Sequence, residues 1–446
     1  MISLREAVNE LNKDQTGHAE AADPHTQYAQ KASLSITPAA NKIPQADANG
    51  YLHPGWLTGV RTGSVGFAYN IKTDTFIRTG DAADIPVGQF CGTTVSPIYQ
   101  NLRRVVLTDA GAVYKEIDWL DFTKHTDGTS VALDGSNGQI MVEYQPAYIR
   151  TGVVGDWYYL EISHTQLPGF QLHPLFDGVD VAYQGAYEAS VYNSKLCSIA
   201  KSPADGTSNV YPVTNRTGDW GYTGLTAQAT DTLAEARGAG WQQADFWTKH
   251  WERCLMLVGW AGFNFQSMVG EGRTGLSGGD WVNDSYIGPC GLADAVSGYY
   301  GNSNQSYSSI LGIENPFGHI WERVASLISD WDVYVKGTPP FDYSATTGWD
   351  RLTDYSGVGV TLPSNSGYGG TPHSGLGFVL PADTTGSSSS RFSDYFYQNS
   401  GLRVFRVGGA ANDGATAGPF YWVASFSAAV AAADFGGRLC FKKLAA

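Results

Sequence analysis

The chain has 446 residues, enough for two or three ordinary domains or for one large β-rich domain with an appendage. Its 42% hydrophobic and 13% aromatic content supplies a core, while 54 glycines and only 16% charged residues speak for short strands joined by ordered loops. A net charge of −14 with no Lys/Arg cluster excludes a nucleic-acid binder, and no run of about 20 apolar residues marks a membrane span.

At the N-terminus, Ser3 followed by Glu6 has capping-box spacing, and Leu4, Ala7, Val8 and Leu11 fall at i, i+3, i+4 and i+7. The pattern predicts an amphipathic helix of about three turns, too short to stand alone in water. Its apolar stripe needs a partner, either copies of the same helix or another protein. Residues 14–50 are polar with little to bury, which predicts extended chain ordered mainly by oligomerisation. The first residues lack an apolar run, so no signal peptide is expected and synthesis in a cytoplasm is.

From about residue 61 the sequence turns dense in aromatic and β-type segments. Strands are predicted over 65–69, 104–107, 140–144, 157–162 and 377–380, with turn signals at Asp134-Gly135 and Asn137-Gly138. Two helices are predicted. The first runs over 230–237 with an N-cap at Thr230 or Asp231. The second runs over 241–257 with Trp241, Ala244, Trp247, Trp251 and Leu255 along one face. The Gly/Ser/Asn stretches 270–309 and 353–391 have no helical period and predict loops. Glycine pairs at 408–409 and 436–437 suit tight turns around a terminal strand pair, with Leu439 and Phe441 on one face. No internal repeat is present, which speaks against a β-helix or propeller.

Patterns that could carry chemistry are few. Cys91, Cys197, Cys254, Cys290 and Cys440 are scattered and odd in number, which fits reduced thiols and no complete disulfide framework. Gly270-Glu-Gly-Arg-Thr-Gly275 matches a dinucleotide loop, and Gly275-Leu-Ser-Gly-Gly279 matches a nucleophile elbow around Ser277. Neither has the strand–turn–helix context its chemistry needs. His18 and His25 could line a threefold axis and hold an ion, although packing is the simpler role. Asp280, Asn283 and Asp284 offer oxygen ligands of the kind calcium takes. No cofactor is expected.

Three passages resemble bacteriophage proteins. His18-Ala-Glu-Ala-Ala-Asp-Pro-His-Thr-Gln-Tyr28 is similar to an element near the start of many tail fibres, and Ile43-Pro-Gln-Ala-Asp-Ala-Asn-Gly-Tyr-Leu-His-Pro-Gly-Trp-Leu57 to their lead-in. The third covers most of the remainder. It runs through Gly135-Ser-Asn-Gly-Gln-Ile-Met-Val142, His173-Pro-Leu-Phe176, Gly185-Ala-Tyr-Glu188, Ala236-Arg-Gly-Ala-Gly-Trp241 and Asn264-Phe-Gln-Ser267. Gly312-Ile-Glu-Asn-Pro-Phe-Gly-His-Ile-Trp-Glu-Arg323, Arg406-Val-Gly-Gly409, Ala417-Gly-Pro-Phe420 and Gly437-Arg-Leu-Cys-Phe441 complete it. This succession resembles the C-type lectin-like domain of phage receptor-binding proteins, including those diversified by retroelements, and more distantly formylglycine-generating enzymes. The close cysteine pair of those enzymes is missing here, since Cys440 has Cys290 as its nearest neighbour in sequence.

The resemblance implies an α+β fold with two helices, short strands and long ordered loops in a lectin-like body over 61–446, with a β-rich lead-in at 61–125 and the main body at 126–446. Residues 1–60 would attach to the virion and trimerise through Leu4, Val8 and Leu11. The expected partners are two further copies, other tail or baseplate proteins and a host surface receptor (a pilus, another protein or a neutral glycan). Neither nucleic acid nor membrane insertion is expected, and the expected location is the virion. Aromatics on Gly/Ser-rich loops make good anchors because they bury area at little rotamer cost. The expected receptor-binding residues are Tyr395, Tyr397, Asn412, Asp413, Tyr421 and Trp422, with Phe392, Phe396 and Phe420 in the core. The expectation is thus a binding protein with no catalytic role. A structural baseplate or collar subunit is the first rival. A glycan-cleaving fibre, which needs two carboxylates about 5–10 Å apart, is the second.

Overall fold

The computed structural model describes residues 63–83, 102–212, 225–276, 287–295, 306–432 and 434–445, together with Tyr99 and the short strands Leu34–Ser35, Ile43–Pro44 and Asn302–Ser303. The N-terminal helix with Leu4, Val8 and Leu11, His18, His25, Cys91, Ser277, Asp280, Asn283 and Asp284 lie outside the described residues.

Strand accounts for 36% of the structure and helix for 12%, which makes the fold mainly β and corrects the expected α+β class. Three sheets carry it. The first is antiparallel, in the order Gln171–Leu172, Tyr148–Val154, Trp157–Ser163, Val65–Asn70, Thr75–Gly80. The second runs Trp241–Gln243, Leu439–Leu444, Val179–Gly185, Gln139–Tyr144, Arg103–Leu107, Val113–Glu116. Strands from 61–125 therefore share both sheets with strands from beyond 126. The third and largest sheet centres on Leu402–Gly408 and Gly418–Phe426. Many of its strands are two to four residues long, too short for a period-two pattern to register in the sequence.

The predicted strands at 65–69, 104–107, 140–144 and 157–162 all form. Residues 377–380 do not. Gly377 ends a short 3-10 turn at Ser374–Leu376 with φ of +70°, and the apolar Phe378, Val379 and Leu380 fill the core as irregular chain. The first helix is Ala227–Glu235, capped by Thr226, whose Oγ1 accepts the Ala229 amide at 3.1 Å, in place of Thr230 or Asp231. The second begins later than its apolar pattern suggests. Trp241–Gln243 pairs with the terminal strand, and the helix runs over Phe246–Trp260, capped by Asp245 accepting from the Thr248 amide at 3.0 Å. A third, single-turn helix spans Phe265–Met268.

The helix Phe246–Trp260 lies within the core. Every residue of it is buried except Trp247, although Lys249, His250, Glu252 and Arg253 lie among them. A charge is tolerated in such a place only if paired. Lys249 meets Glu252 at 2.8 Å and also Glu322; Arg253 meets Glu252; and Arg438 donates to Glu322 with Nε at 2.7 Å. Arg438 further donates to the carbonyls of Gly185, Glu314 and Asn315, and Arg253 to those of Pro419 and Pro316. This hub ties the helix to the second sheet, to the 312–323 segment and to the C-terminal strands.

Local turns follow a second rule. Asp121, Asp127, Asp342, Asp354 and Asp383 each accept, through Oδ1, the backbone amide and the hydroxyl of a Ser or Thr two residues on. Such Asp-x-Ser/Thr turns satisfy the chain locally where no ladder is available.

Candidate functional site

The C-terminal hairpin Leu402–Gly408/Gly418–Phe426 presents two faces, because strand side chains alternate. Phe420, Trp422 and Ala424 point into the main core, while Tyr421 and Val423 point to the other side and pack with Trp321, Ala410 and Phe435. The adjacent strand Tyr395–Gln398 runs parallel to the second strand of the hairpin and alternates likewise. Phe396 and Gln398 are buried, Tyr395 is half-buried and Tyr397 is 40% exposed. Gly367–Tyr368 closes this edge, with Tyr368 opposite Tyr395.

The result is a row of rings leading from core to surface. Trp321 and Tyr421 lie 4.6 Å apart at 66°, Tyr421 and Tyr395 6.0 Å apart at 81°, and Tyr395 and Tyr368 5.2 Å apart at 84°. Edge-to-face contacts of this kind fix each ring through its neighbour. The turn 409–417 flanks the row. Asn412 is exposed there, and Asp413 accepts the Ala410 amide at 2.6 Å. Burial pushes the Asp413 carboxyl up to about 6, although the Ala410 amide and Arg406 pull the other way. Burial, followed by the Asp413 charge, raises the Tyr421 hydroxyl above its ordinary range.

Five of the six expected binding residues are thus brought to one side of the hairpin: Tyr395, Tyr397 and Tyr421 through strand alternation, Asn412 and Asp413 through the turn beside it. Trp422 is not among them. It is 0% exposed and packs against Phe405 at 4.9 Å and Phe246 at 5.6 Å, so it is a core residue. Alternation along the strand could have separated it from Tyr421. Phe392, Phe396 and Phe420 are in the core as expected.

Sequence reasoning missed Trp321, Tyr368 and Arg406. Arg406 is 4% exposed and stacks on Phe435 at 3.8 Å, Phe426 at 4.3 Å and Trp321 at 4.7 Å. Its Nε is buried with no hydrogen-bond acceptor, and burial lowers its pKa to about 10. The guanidinium underpins the row from below, cation against ring faces. The spacing of Arg406 from the aromatics in sequence gives no sign of this.

A separate cluster of His173, His250 and Cys254 has ligand atoms within 4.8 Å of one another, all buried. Its hydrogen bonds have a direction. The Leu175 amide donates to His173 Nδ1 at 3.1 Å, so His173 carries its proton on Nε2 and donates to His250 Nδ1 at 2.8 Å. His250 Nε2 then donates to the Leu376 carbonyl at 2.6 Å. A neutral His173 holding a metal through Nε2 would need its proton on Nδ1, where the Leu175 N–H already points. The donor set therefore fits a relay of neutral imidazoles and does not fit a metal. The Gly270–Gly275 segment is irregular chain and turn, and the residues where a following helix would have to run, 277–286, lie outside the described residues.

No protein-family model matches the chain, and no curated protein sequence is significantly similar to it.

Proposed function

We propose that the chain is a receptor-binding protein of a bacteriophage tail, which attaches the virion to a bacterial surface through the aromatic row. The observation that carries this reading is the row itself. Four rings, anchored at Trp321 inside the molecule, end on the half-buried Tyr395 and Tyr368, with Tyr397 exposed on the same strand face as Tyr395. Rings already fixed in place lose little entropy when a partner covers them, which is the property binding hot spots share. The tail-fibre resemblance of residues 18–28 and 43–57 supplies the context: attachment and trimerisation at the N-terminus, virion location, and contacts with tail or baseplate proteins. Several copies per virion would turn modest site affinities into avid attachment.

The test is retention of fluorescently labelled protein on candidate host cells, wild type beside Tyr395→Ala/Tyr397→Ala. Retention that drops at least tenfold in the folded double variant supports the reading. Equal retention would move the contact elsewhere. No retention on a host that the phage infects would favour a structural subunit.

A further inference from the structure

A concave surface that shares no lining residue with the aromatic row lies at the end of the six-stranded sheet. A cavity of about 540 Å³ opens between the turn after Arg103–Leu107, the loop 134–139, the hairpin Ser190–Tyr192/Lys195–Cys197 and Arg237 beyond the first helix. This volume is in the range of small-ligand sites. We propose that the cavity is a saccharide-binding site for a neutral, polyhydroxylated ligand. The proposal does not depend on the aromatic row.

The walls are preorganised. Gly138, at φ of +135°, packs so tightly that a Cβ there would meet the Leu107 carbonyl oxygen at 2.3 Å, which fixes the 134–139 loop against the sheet. The hairpin opposite turns through Asn193 and Ser194, both at positive φ, the geometry of a tight two-residue turn. At the floor the Arg237 guanidinium has a side chain only 5% exposed. It donates to the Leu196 carbonyl and to Asp109, lies 2.9 Å from Cys197 Sγ and stacks at 5.6 Å from Trp241. Asp109 bridges Arg237 and Lys195 (Nζ at 3.1 Å) and remains 43% exposed towards solvent.

The chemistry of the lining selects the ligand class. Asp109 pairs with both Lys195 and Arg237, and Asp134 also lines the cavity, so among the described residues two carboxylates balance two cations and the lining is formally neutral. An anion would meet the carboxylates and a cation the Lys–Arg pair, whereas hydroxyls can donate to the first and accept from the second. Asn137 adds an amide that does both, and the ring of Tyr192 offers an apolar face for the carbon side of a sugar. Among the described residues, none of the large exposed apolar side chains lines the cavity, as a protein-binding groove would require.

The experiment is a printed panel of neutral hexose and N-acetylhexosamine oligosaccharides, with phosphorylated and carboxylated oligosaccharides beside them, probed with the full chain. Wild type should retain at least one neutral oligosaccharide. Asn137→Ala/Lys195→Ala should weaken that retention at least tenfold. Ser136→Trp, an exposed rim position whose new ring fills the cavity without touching the core, should abolish it. Tyr395→Ala/Tyr397→Ala should leave it unchanged, which separates this site from the row. Retention of anionic oligosaccharides alone, no retention of any neutral one, or retention that survives Ser136→Trp would each overturn the proposal.

Discussion

Replacing Glu322 by Gln keeps the side-chain shape and removes one charge from the buried hub. Burial alone raises the Glu322 carboxyl, yet Arg438 and Lys249 overcome that and hold it at about 2. Both partners are 0% exposed, so no water can take over the lost role. Lys249 retains Glu252, whereas Arg438 is left with backbone carbonyls and a neutral amide. Removing one member of a buried ion pair costs about 3–5 kcal/mol, or more than a hundredfold in the folding equilibrium. Arg438→Met should cost at least as much, because three carbonyls lose a donor as well. The double variant Glu322→Gln/Arg438→Met should be more stable than the sum of the two losses by about 1–3 kcal/mol, since the second change removes the charge that the first left unpaired. Urea unfolding followed by tryptophan fluorescence and circular dichroism measures all four corners, with coincident transitions as the check on two-state behaviour. Single losses under about 1 kcal/mol, or strict additivity, would refute the claim that this hub holds the sheets together.

Three further outcomes follow from the structure. Trp422→Ala should destabilise the protein by about 3–5 kcal/mol, whereas Tyr397→Ala should stay within about 0.5 kcal/mol of wild type in the same urea assay. The His173–His250 relay should make the fold acid-labile. Burial lowers His250 from 6.5 to about 4, so below pH 6.5 the unfolded chain binds the extra proton and stability falls with pH until about 4. At pH 5 His250 alone should cost about 2 kcal/mol relative to pH 7.5. The difference between wild type and His250→Gln isolates this effect from Glu314 and Asp413, which burial raises to about 8 and 6 and which titrate in the opposite sense; equal pH dependence of the two proteins would contradict the relay. Finally, a chelator should leave the melting temperature unchanged, and added Co²⁺ should give no thiolate charge-transfer band from Cys254; such a band would mean that the cluster holds a metal after all.

Much of the fold was legible where β-type and aromatic residues are dense. That density marks 65–69 and 157–162, and Leu439 and Phe441 do share one face in the second core cluster. The class was not legible, because strands of two or three residues carry no period and are placed by partners far away in sequence. Trp241 shows this. Its helical spacing with Trp247 and Trp251 is real, yet pairing with Phe441 makes it a strand residue. Trp247, read as part of the buried face, is the one residue of that helix left partly exposed.

The quoted motifs turn out to hold the hub. Glu188 accepts from His319 and Asn315, and Glu322 and Arg438 form the central pair. Gly418 has no Cβ because the Asp394 carboxylate lies where one would be, 2.1 Å away, and caps the Phe420 amide at 2.8 Å. These are needs of a polar core, visible in sequence only as isolated charged residues among glycines. Of the candidate site, Tyr395, Tyr397 and Tyr421 could be found from aromatic density, and Asn412 and Asp413 as polar residues beside it in the stretch to which the resemblance points. Trp321, Tyr368 and Arg406 could not, since they reach the row across the sheet.

The most direct measurement is competition for adsorption. Purified protein is mixed with host cells before phage is added, with Tyr395→Ala/Tyr397→Ala beside the wild type and both shown to be folded. Wild type should block plaque formation and the double variant should block at least tenfold less. Equal blocking by the two proteins would contradict the aromatic row as the contact surface, and no blocking by either would contradict receptor binding itself.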